Sequence, residues 1–243
     1  AQNSFDPLFA VGRGGLSEIL PAGAADAPAA AAFALALALQ ARAARGGGAL
    51  VWIVEDMSAR EFGLPYGRGL AAAGADMSRF ALVRVRRPRE TLWAMEEALK
   101  SPSCAAVVAE SFIGARLYGL TASRRLQLAA RRGGGLGLLL AQGGEGAAFA
   151  SAAELRVEIA APPAPAGPGF LSRPPLGPDA IFRWRLRVLK ARASLLENAG
   201  AIDPAQWRDL VFCPQQAVFR HAFSERLPAA SGDRPFAEAR RRA

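Results

Sequence analysis

The segment Leu16–Gln40, "LSEILPAGAADAPAAAAFALALALQ", has the residue pattern of a site that could handle phosphate. It reads as a short apolar strand, a turn of small residues and a long helix. Backbone N–H groups at such a helix start attract anions, and a lysine normally adds the charge that a triphosphate needs. The turn contains no lysine, and the first lysine of the chain is Lys100. The sequence therefore has the frame of a nucleotide site without its charge.

Two cysteines, Cys104 and Cys213, and one histidine, His221, restrict the remaining chemistry. They cannot assemble an ordinary Cys/His zinc site, and two distant cysteines do not indicate a disulfide framework. His221 lies in "FRHAFSERL", a context more typical of a surface or half-buried residue than of a base. We expect no catalytic residue, no metal and no cofactor.

The composition, 51% hydrophobic and 21% charged, is that of an ordinary globular protein. The formal net charge of +9 favours anionic partners, nucleic acid first, although the bias toward arginine and alanine also fits a GC-rich genome. The apolar run at 27–39 is shorter than the roughly 20 residues that span a bilayer. "AQNSFDPLFAV" lacks the features of a signal peptide. These patterns predict a soluble, cytoplasmic protein.

Strand-like apolar runs alternate with helix-like segments through the first two thirds of the chain. This rhythm predicts an α/β fold with a mainly parallel sheet and helices on both faces. Thr121 is the predicted cap of the last of these helices, and glycines are its predicted end. The predicted strands are 16–20, 49–56, 79–85, 104–111 and 136–142. The predicted helices are the Ala/Leu helix that ends at the glycine stop "ARGGG", 87–100 and 120–135.

The pattern changes after Gly146. Strands are predicted at 150–159 and 181–192, paired antiparallel at the sheet edge and joined by a proline-rich loop at 160–179. In "RWRLRV", Arg183, Arg185 and Arg187 alternate with apolar residues, so one strand face is basic. That face is either solvated or a contact strip for phosphates or an acidic partner. Residues 1–192 are the predicted core, and 193–243 a C-terminal segment that could bind a partner.

Several stretches resemble the RecA-like core: "GRGGLSEIL" its lead-in strand, "ALVWIVED" its second strand, "AAVVAES" its Walker-B strand and "GLLLAQGG" its sensor strand. From about Val11 to Arg192 the chain is similar to the ImuA family, most distinctively in "RETLWAMEEAL…LTASRRLQLAA". Members are RecA-like accessory proteins of damage-inducible mutagenesis in bacteria. The resemblance implies a RecA-like three-layer α/β/α fold with antiparallel edge strands on the C-terminal side.

The resemblance also shows what the turn has lost. Aligned with a P-loop, Asp26 takes the place of the last glycine, Ala27 that of the lysine and Pro28 that of the Mg²⁺-binding hydroxyl. Asp26 adds negative charge where phosphate would lie, and Pro28 removes a backbone donor. We interpret the turn as a degenerate P-loop that does not bind nucleotide.

Other RecA-like positions keep their residue types. Glu110 stands at the Walker-B carboxylate, Glu55 or Asp56 at the catalytic glutamate and Gln142 at the γ-phosphate sensor. Without phosphate or lysine we expect them to end strands, cap helices or pair with arginines. Only "FIGARLYGL" and "GGEGAAF" occupy the places of the long DNA-binding loops, so we expect no filament on DNA.

The resemblance implies a non-catalytic scaffold in SOS-induced, error-prone translesion DNA synthesis. Its implied partners are an ImuB-type polymerase-like protein and an error-prone replicative-class polymerase, with RecA itself and weak electrostatic DNA binding as further candidates. Three alternatives stay open: a DNA-binding module without ATPase activity, a SulA-like cell-division inhibitor and, least favoured, an active NTPase.

Two further basic clusters are candidate contact sites for a partner or DNA. One is the C-terminal group Arg240, Arg241 and Arg242, which is otherwise a solvated, disordered end. The other lies on the predicted helix 120–135, where a seven-residue spacing predicts a shared face. Its members are Arg124, Arg125, Arg131 and Arg132.

Overall fold

Nine strands form one mixed sheet in the computed structural model, which describes residues 14–142, 150–162, 182–193, 195 and 206–221. In chain order the strands are β1 (Gly15–Pro21), β2 (Ala49–Glu55), β3 (Phe80–Val85), β4 (Cys104–Ser111), β5 (Leu136–Ala141), β6 (Leu155–Ala160), β7 (Phe182–Ala191), β8 (Arg208–Cys213) and β9 (Val218–His221).

The spatial order of the strands is β3-β2-β4-β5-β1-β6-β7-β8-β9. Every neighbouring pair from β3 to β6 is parallel, and the pairs from β6 to β9 are antiparallel. β1, β4 and β5 are buried along almost their whole length, as expected for parallel strands covered on both faces. The carboxyl ends of β1, β4 and β5 therefore meet at one edge of the sheet, where α/β proteins place their ligands.

Five helices cover the two faces of this sheet within the described residues. They are α1 (Ala27–Ala44), α2 (Asp56–Phe62), α3 (Gly67–Ala72), α4 (Pro88–Lys100) and α5 (Leu120–Gly133). The core on one face joins α1 and α3 to the sheet, and a second core joins α4 and α5 to the other face. The predicted three-layer α/β/α arrangement is thus confirmed.

The helix α1 is apolar nearly all round because it lies against the middle of the sheet. Phe33, Leu37 and Ala41 are almost completely buried. The segment Ala24–Ala44 is long and apolar enough to cross a membrane by length and composition, although the sequence run at 27–39 looked too short. More than half of it is buried within the fold, as in a central helix of an α/β domain.

The helix α5 begins after Gly119 and ends at a left-handed glycine. Its predicted cap is wrong: Gly119 is the N-cap residue, and its carbonyl accepts a hydrogen bond from Ser123 Oγ at 2.7 Å, while Thr121 lies inside the helix. The predicted glycine end is confirmed, since Gly134 has φ +74° and its N–H donates to the carbonyl of Ala130 at 2.8 Å.

The sheet continues beyond residue 192, where the sequence placed the end of the core. β6 and β7 pair antiparallel as predicted, but they are not the edge, because β8 and β9 follow them. Phe219 of β9 is fully buried against the rings of Phe33, Trp184 and Phe212. The described part of the C-terminal segment is therefore packed on the α1 face. Most of the predicted proline-rich loop lies outside the described residues.

Candidate functional site

Three backbone N–H groups of the turn between β1 and α1 are already hydrogen-bonded within the fold. The N–H of Ala22 donates to Ile159 of β6 at 2.8 Å, and that of Asp26 donates to Gly23 at 2.9 Å. The N–H of Ala27 donates to the carbonyl of Ala24. Pro28, the second residue of α1, has no N–H at all. Donors held inside a turn cannot also wrap an anion.

Asp26 links this turn to the end of β6 by a hydrogen bond. Its Oδ1 accepts a hydrogen bond from the N–H of Ala161, just after β6, at 2.8 Å. The carboxylate thus has a structural partner at the position where a P-loop leaves room for phosphate. A bound phosphate would have to displace that bond and lie beside a negative charge.

A pocket of about 220 Å³ opens beside the start of α1. It contains two of the sequence-predicted P-loop positions, Ala27 and Pro28, together with Glu110 and Gln142 at the ends of β4 and β5. Of the described residues that line it, none is a lysine or an arginine. The walls are otherwise apolar: Ala31, Ala32, Leu35, Trp52, Phe62, Leu64, Pro65 and Leu70, with Gly63.

Glu110 is the one ionisable group among the described residues that line this pocket. Its side chain is almost fully buried, and its Oε1 accepts a hydrogen bond from Trp52 Nε1 at 2.7 Å. Burial raises the pKa of Glu110 to about 7, and the bond from Trp52 opposes that rise in part. A carboxyl that is half protonated near neutral pH is a poor ligand for Mg²⁺, which prefers ionised oxygens.

The other polar residues that the sequence placed at RecA-like positions lie at the ends of strands. Glu55 Oε2 accepts hydrogen bonds from Ser111 Oγ at 2.6 Å and from the N–H of Phe112 at 2.8 Å, which joins β2 to the end of β4. Asp56 pairs with Arg84 of β3 at 2.6 Å. Gln142 is buried, and its Oε1 has no hydrogen-bond partner in the described part of the chain.

The four arginines of α5 do not form the single patch that the sequence predicted. Arg125 pairs with Glu96 of α4 at 2.6 Å, and Arg132 lies along the same groove between α4 and α5. Arg131 turns away and pairs with Glu154 at 2.7 Å. Arg124 is exposed. Adjacent helical positions differ by 100°, so among these four arginines only the two pairs seven residues apart share a direction.

The predicted alternation on β7 is confirmed, and its basic face is largely neutralised. Arg187 Nε donates to Glu158 at 2.7 Å, and Arg185 lies 3.9 Å from the carboxylate of Asp209. Both guanidinium groups also stack over the ring of Trp207, at 5.2 Å for Arg185 and 5.0 Å for Arg187. Arg183 is exposed. These contacts fit a solvated, ion-paired face better than a phosphate-binding strip.

Cys104 is buried in the core on the α4–α5 face. Burial raises the pKa of Cys104 to about 11, so its thiol is protonated at neutral pH. The described residues contain no cluster of three His, Cys, Asp or Glu side chains that could hold a metal ion. The side chain of His221 and the cluster Arg240, Arg241 and Arg242 lie outside the described structure.

A buried polar network that the sequence analysis missed lies on the opposite face of β1. Glu18 of β1 and Arg156 of β6 are register partners, and Arg156 Nε lies 2.6 Å from Glu18 Oε2, with both side chains nearly inaccessible. Tyr118 Oη donates to Glu18 Oε1 at 2.6 Å, and burial raises the pKa of Tyr118. The available signal was a charged residue in the middle of each buried strand, "LSEIL" and "LRVEI".

Comparison with known proteins shows a similarity to two curated proteins. The chain matches no protein-family model. It is 39% identical over 160 residues to Protein ImuA from Caulobacter vibrioides, in strain NA1000 / CB15N and in strain ATCC 19089 / CIP 103742 / CB 15 alike. The match covers 61% of this chain and 57% of each relative, so the chain spans little more than half the length of the curated relatives it matches.

Among solved structures, the crystal structure of SulA from Pseudomonas aeruginosa is similar at 20% identity with a TM-score of 0.41. The match covers 53% of this chain and 98% of that chain.

The sheet order and the helices on both faces define a three-layer α/β/α protein whose sheet is mainly parallel, with antiparallel strands on the C-terminal side. Over 160 residues the chain is similar to the ImuA proteins of Caulobacter vibrioides.

Proposed function

We propose that this chain is a non-catalytic scaffold in SOS-induced, error-prone translesion DNA synthesis. The observation that carries the proposal is the 39% identity to the ImuA proteins, since the ImuA family acts in damage-inducible mutagenesis. In this role the chain binds an ImuB-type polymerase-like protein and assembles with an error-prone replicative-class polymerase. RecA is a further candidate partner.

The state of the turn before α1 supports the non-catalytic part of the proposal. Three of its N–H groups are bonded within the fold, Asp26 is held by the N–H of Ala161, and no described cation lines the adjoining pocket. Phosphoryl transfer depends on positioned cations and backbone donors around the phosphates. A fold that keeps its sheet and loses those groups is suited to binding other proteins.

Co-expression tests the proposal directly. The full chain and an ImuB-type protein from the same genome, copurified by a tag on the ImuB-type protein, should elute together on gel filtration. The complex should form equally well with and without ATP and Mg²⁺. Separate elution at high protein concentration, or a complex that forms only with ATP, contradicts the proposal.

The alternative of a DNA-binding module has one observation in its favour, the net charge of +9. Several of the described arginines are already paired with carboxylates, including Arg125, Arg131 and Arg187, which reduces the charge available to phosphates. Titration with single-stranded and duplex DNA separates the two functions. Phosphate-driven affinity falls steeply as salt rises, whereas a protein complex with an apolar interface is much less sensitive.

A further inference from the structure

A groove runs between α4 and α5 on the face of the sheet opposite α1. It consists of two adjoining hollows of about 320 and 400 Å³, which share Glu96 and Arg125. On α4 the lining positions 89, 93, 96 and 100 are three or four residues apart, so they follow one side of the helix. The span of 11 residues corresponds to about 17 Å, or three helical turns.

The groove is strongly basic. Its lining contains five cationic side chains and one anionic side chain, Glu96. Glu96 is already paired with Arg125 at 2.6 Å and with Lys100 at 3.3 Å. The other three cations are exposed and make no ion pair within the described residues: Arg89, Arg116 and Arg132. The groove therefore offers an excess of positive charge to whatever lies in it.

The groove also exposes large apolar side chains. Trp93 is 64% exposed and Leu128 is 56% exposed, one lining each hollow. Tryptophan and arginine are enriched among the interface residues that contribute most of the binding free energy. The helices themselves do not need these two side chains for packing, because Met95, Leu99 and Leu126 fill the core beneath.

We propose that this groove binds an acidic amphipathic helix of a protein partner, about three turns long. The inference rests on the proposed function and names the surface through which the scaffold would hold its partner. Apolar side chains of such a helix cover Trp93 and Leu128, and its carboxylates pair with Arg89, Arg116 and Arg132. This is the helix-in-groove mode of recognition, with anchors on one helix face.

Nucleic acid fits the same surface less well. The groove combines cationic side chains with the exposed aliphatic side chain of Leu128. A phosphate chain brings no aliphatic group to cover Leu128. A protein helix supplies both kinds of contact.

The test uses the full chain and the ImuB-type protein of the same genome. Two variants change the groove: Trp93→Ala, and the double charge reversal Arg89→Glu with Arg132→Glu. Matched controls on the opposite face are Tyr66→Ala and Arg68→Glu, which are exposed residues around α3. Thermal unfolding of each variant first verifies that the fold is retained, which we expect because all altered side chains are exposed.

Affinity is then measured by calorimetry or by surface binding. Each groove variant should weaken the complex at least about tenfold, and each control should stay within about twofold of the unaltered chain. Charge reversal should also reduce the salt dependence of binding.

Groove variants that bind as tightly as the unaltered chain overturn the inference and leave the proposed function standing. If the unaltered chain forms no complex, both fail together. Groove variants that instead lose affinity for single-stranded DNA, with a steep salt dependence, assign the surface to nucleic acid and also overturn the inference.

Discussion

At the scale of single residues, the raised pKa of Glu110 should make the stability of the fold depend on pH. Its ordinary pKa is 4.5, and burial raises the folded-state value to about 7. The folded protein therefore binds a proton that the unfolded chain has released between these two pH values. Stability falls as pH rises through this window, and the full cost is present above pH 7.

Replacing Glu110 by glutamine should remove that cost, because the amide oxygen still accepts from Trp52 and carries no charge. We expect Glu110→Gln to raise the free energy of unfolding by up to about 3 kcal/mol at pH 8 and to change it little at pH 4.5. Urea unfolding across this pH range measures the difference. The exposed Glu97→Gln is the matched control, with no such trend. Parallel pH profiles for Glu110→Gln and the unaltered chain would contradict a buried, uncompensated carboxyl.

The pair of Glu18 and Arg156 is the second residue-scale test. Arg156→Met leaves a buried carboxylate whose main counter-charge has gone, which should lower the free energy of unfolding by about 3–5 kcal/mol. Arg84→Met removes the exposed pair with Asp56 and should cost no more than about 1 kcal/mol. Chemical denaturation of both variants at neutral pH gives the comparison. Equal losses would mean that burial of the Glu18 pair adds nothing to its effect.

At the scale of elements, β9 contributes a buried side chain to the hydrophobic core on the α1 face. Phe219 closes an aromatic cluster with Phe33 of α1, Trp184 of β7 and Phe212 of β8. Phe219→Ala should therefore lower the free energy of unfolding by about 3–5 kcal/mol. Gln215→Ala, at an exposed position of the turn before β9, should leave stability unchanged. If Phe219→Ala unfolds like the unaltered chain, β9 is not part of the cooperative core.

The sequence predicted the first five strands and the helices α1, α4 and α5 well because each is marked by local pattern, whereas the short helices α2 and α3 were missed. "ALVWIVED" and "CAAVVAES" are continuous apolar runs, and "RETLWAMEEALK" has helical spacing. The short strand "RDLVFC" has no such mark, and the family likeness thins before it, so β8 and β9 were missed. The Glu18–Arg156 pair depends on the register of two strands 138 residues apart, which no local pattern reveals.

At the scale of the whole molecule, the two faces of the sheet have separate properties. The α1 face contains the closed turn and an apolar pocket with one carboxyl, and the α4–α5 face contains the basic groove with exposed Trp93. A RecA-like protein that couples nucleotide to a partner needs the first face to respond to phosphate. Here no described cation lines the pocket on that face, so binding on the second face should be independent of nucleotide.

Thermal unfolding with and without ATP and Mg²⁺ tests this independence in one measurement. If ATP bound with micromolar affinity, millimolar ATP would stabilise the folded state by about 4 kcal/mol, because the ligand would be near 1,000 times its Kd. For a chain of 243 residues that is a rise in Tm of roughly 8 to 16 °C. We expect no rise, since Asp26 occupies the phosphate position and Pro28 lacks a donor. Calorimetry should likewise show no heat and no turnover. A saturable rise in Tm that Asp26→Arg enlarges would show that the turn still holds a triphosphate, and the scaffold would then have to be regarded as a nucleotide-dependent one.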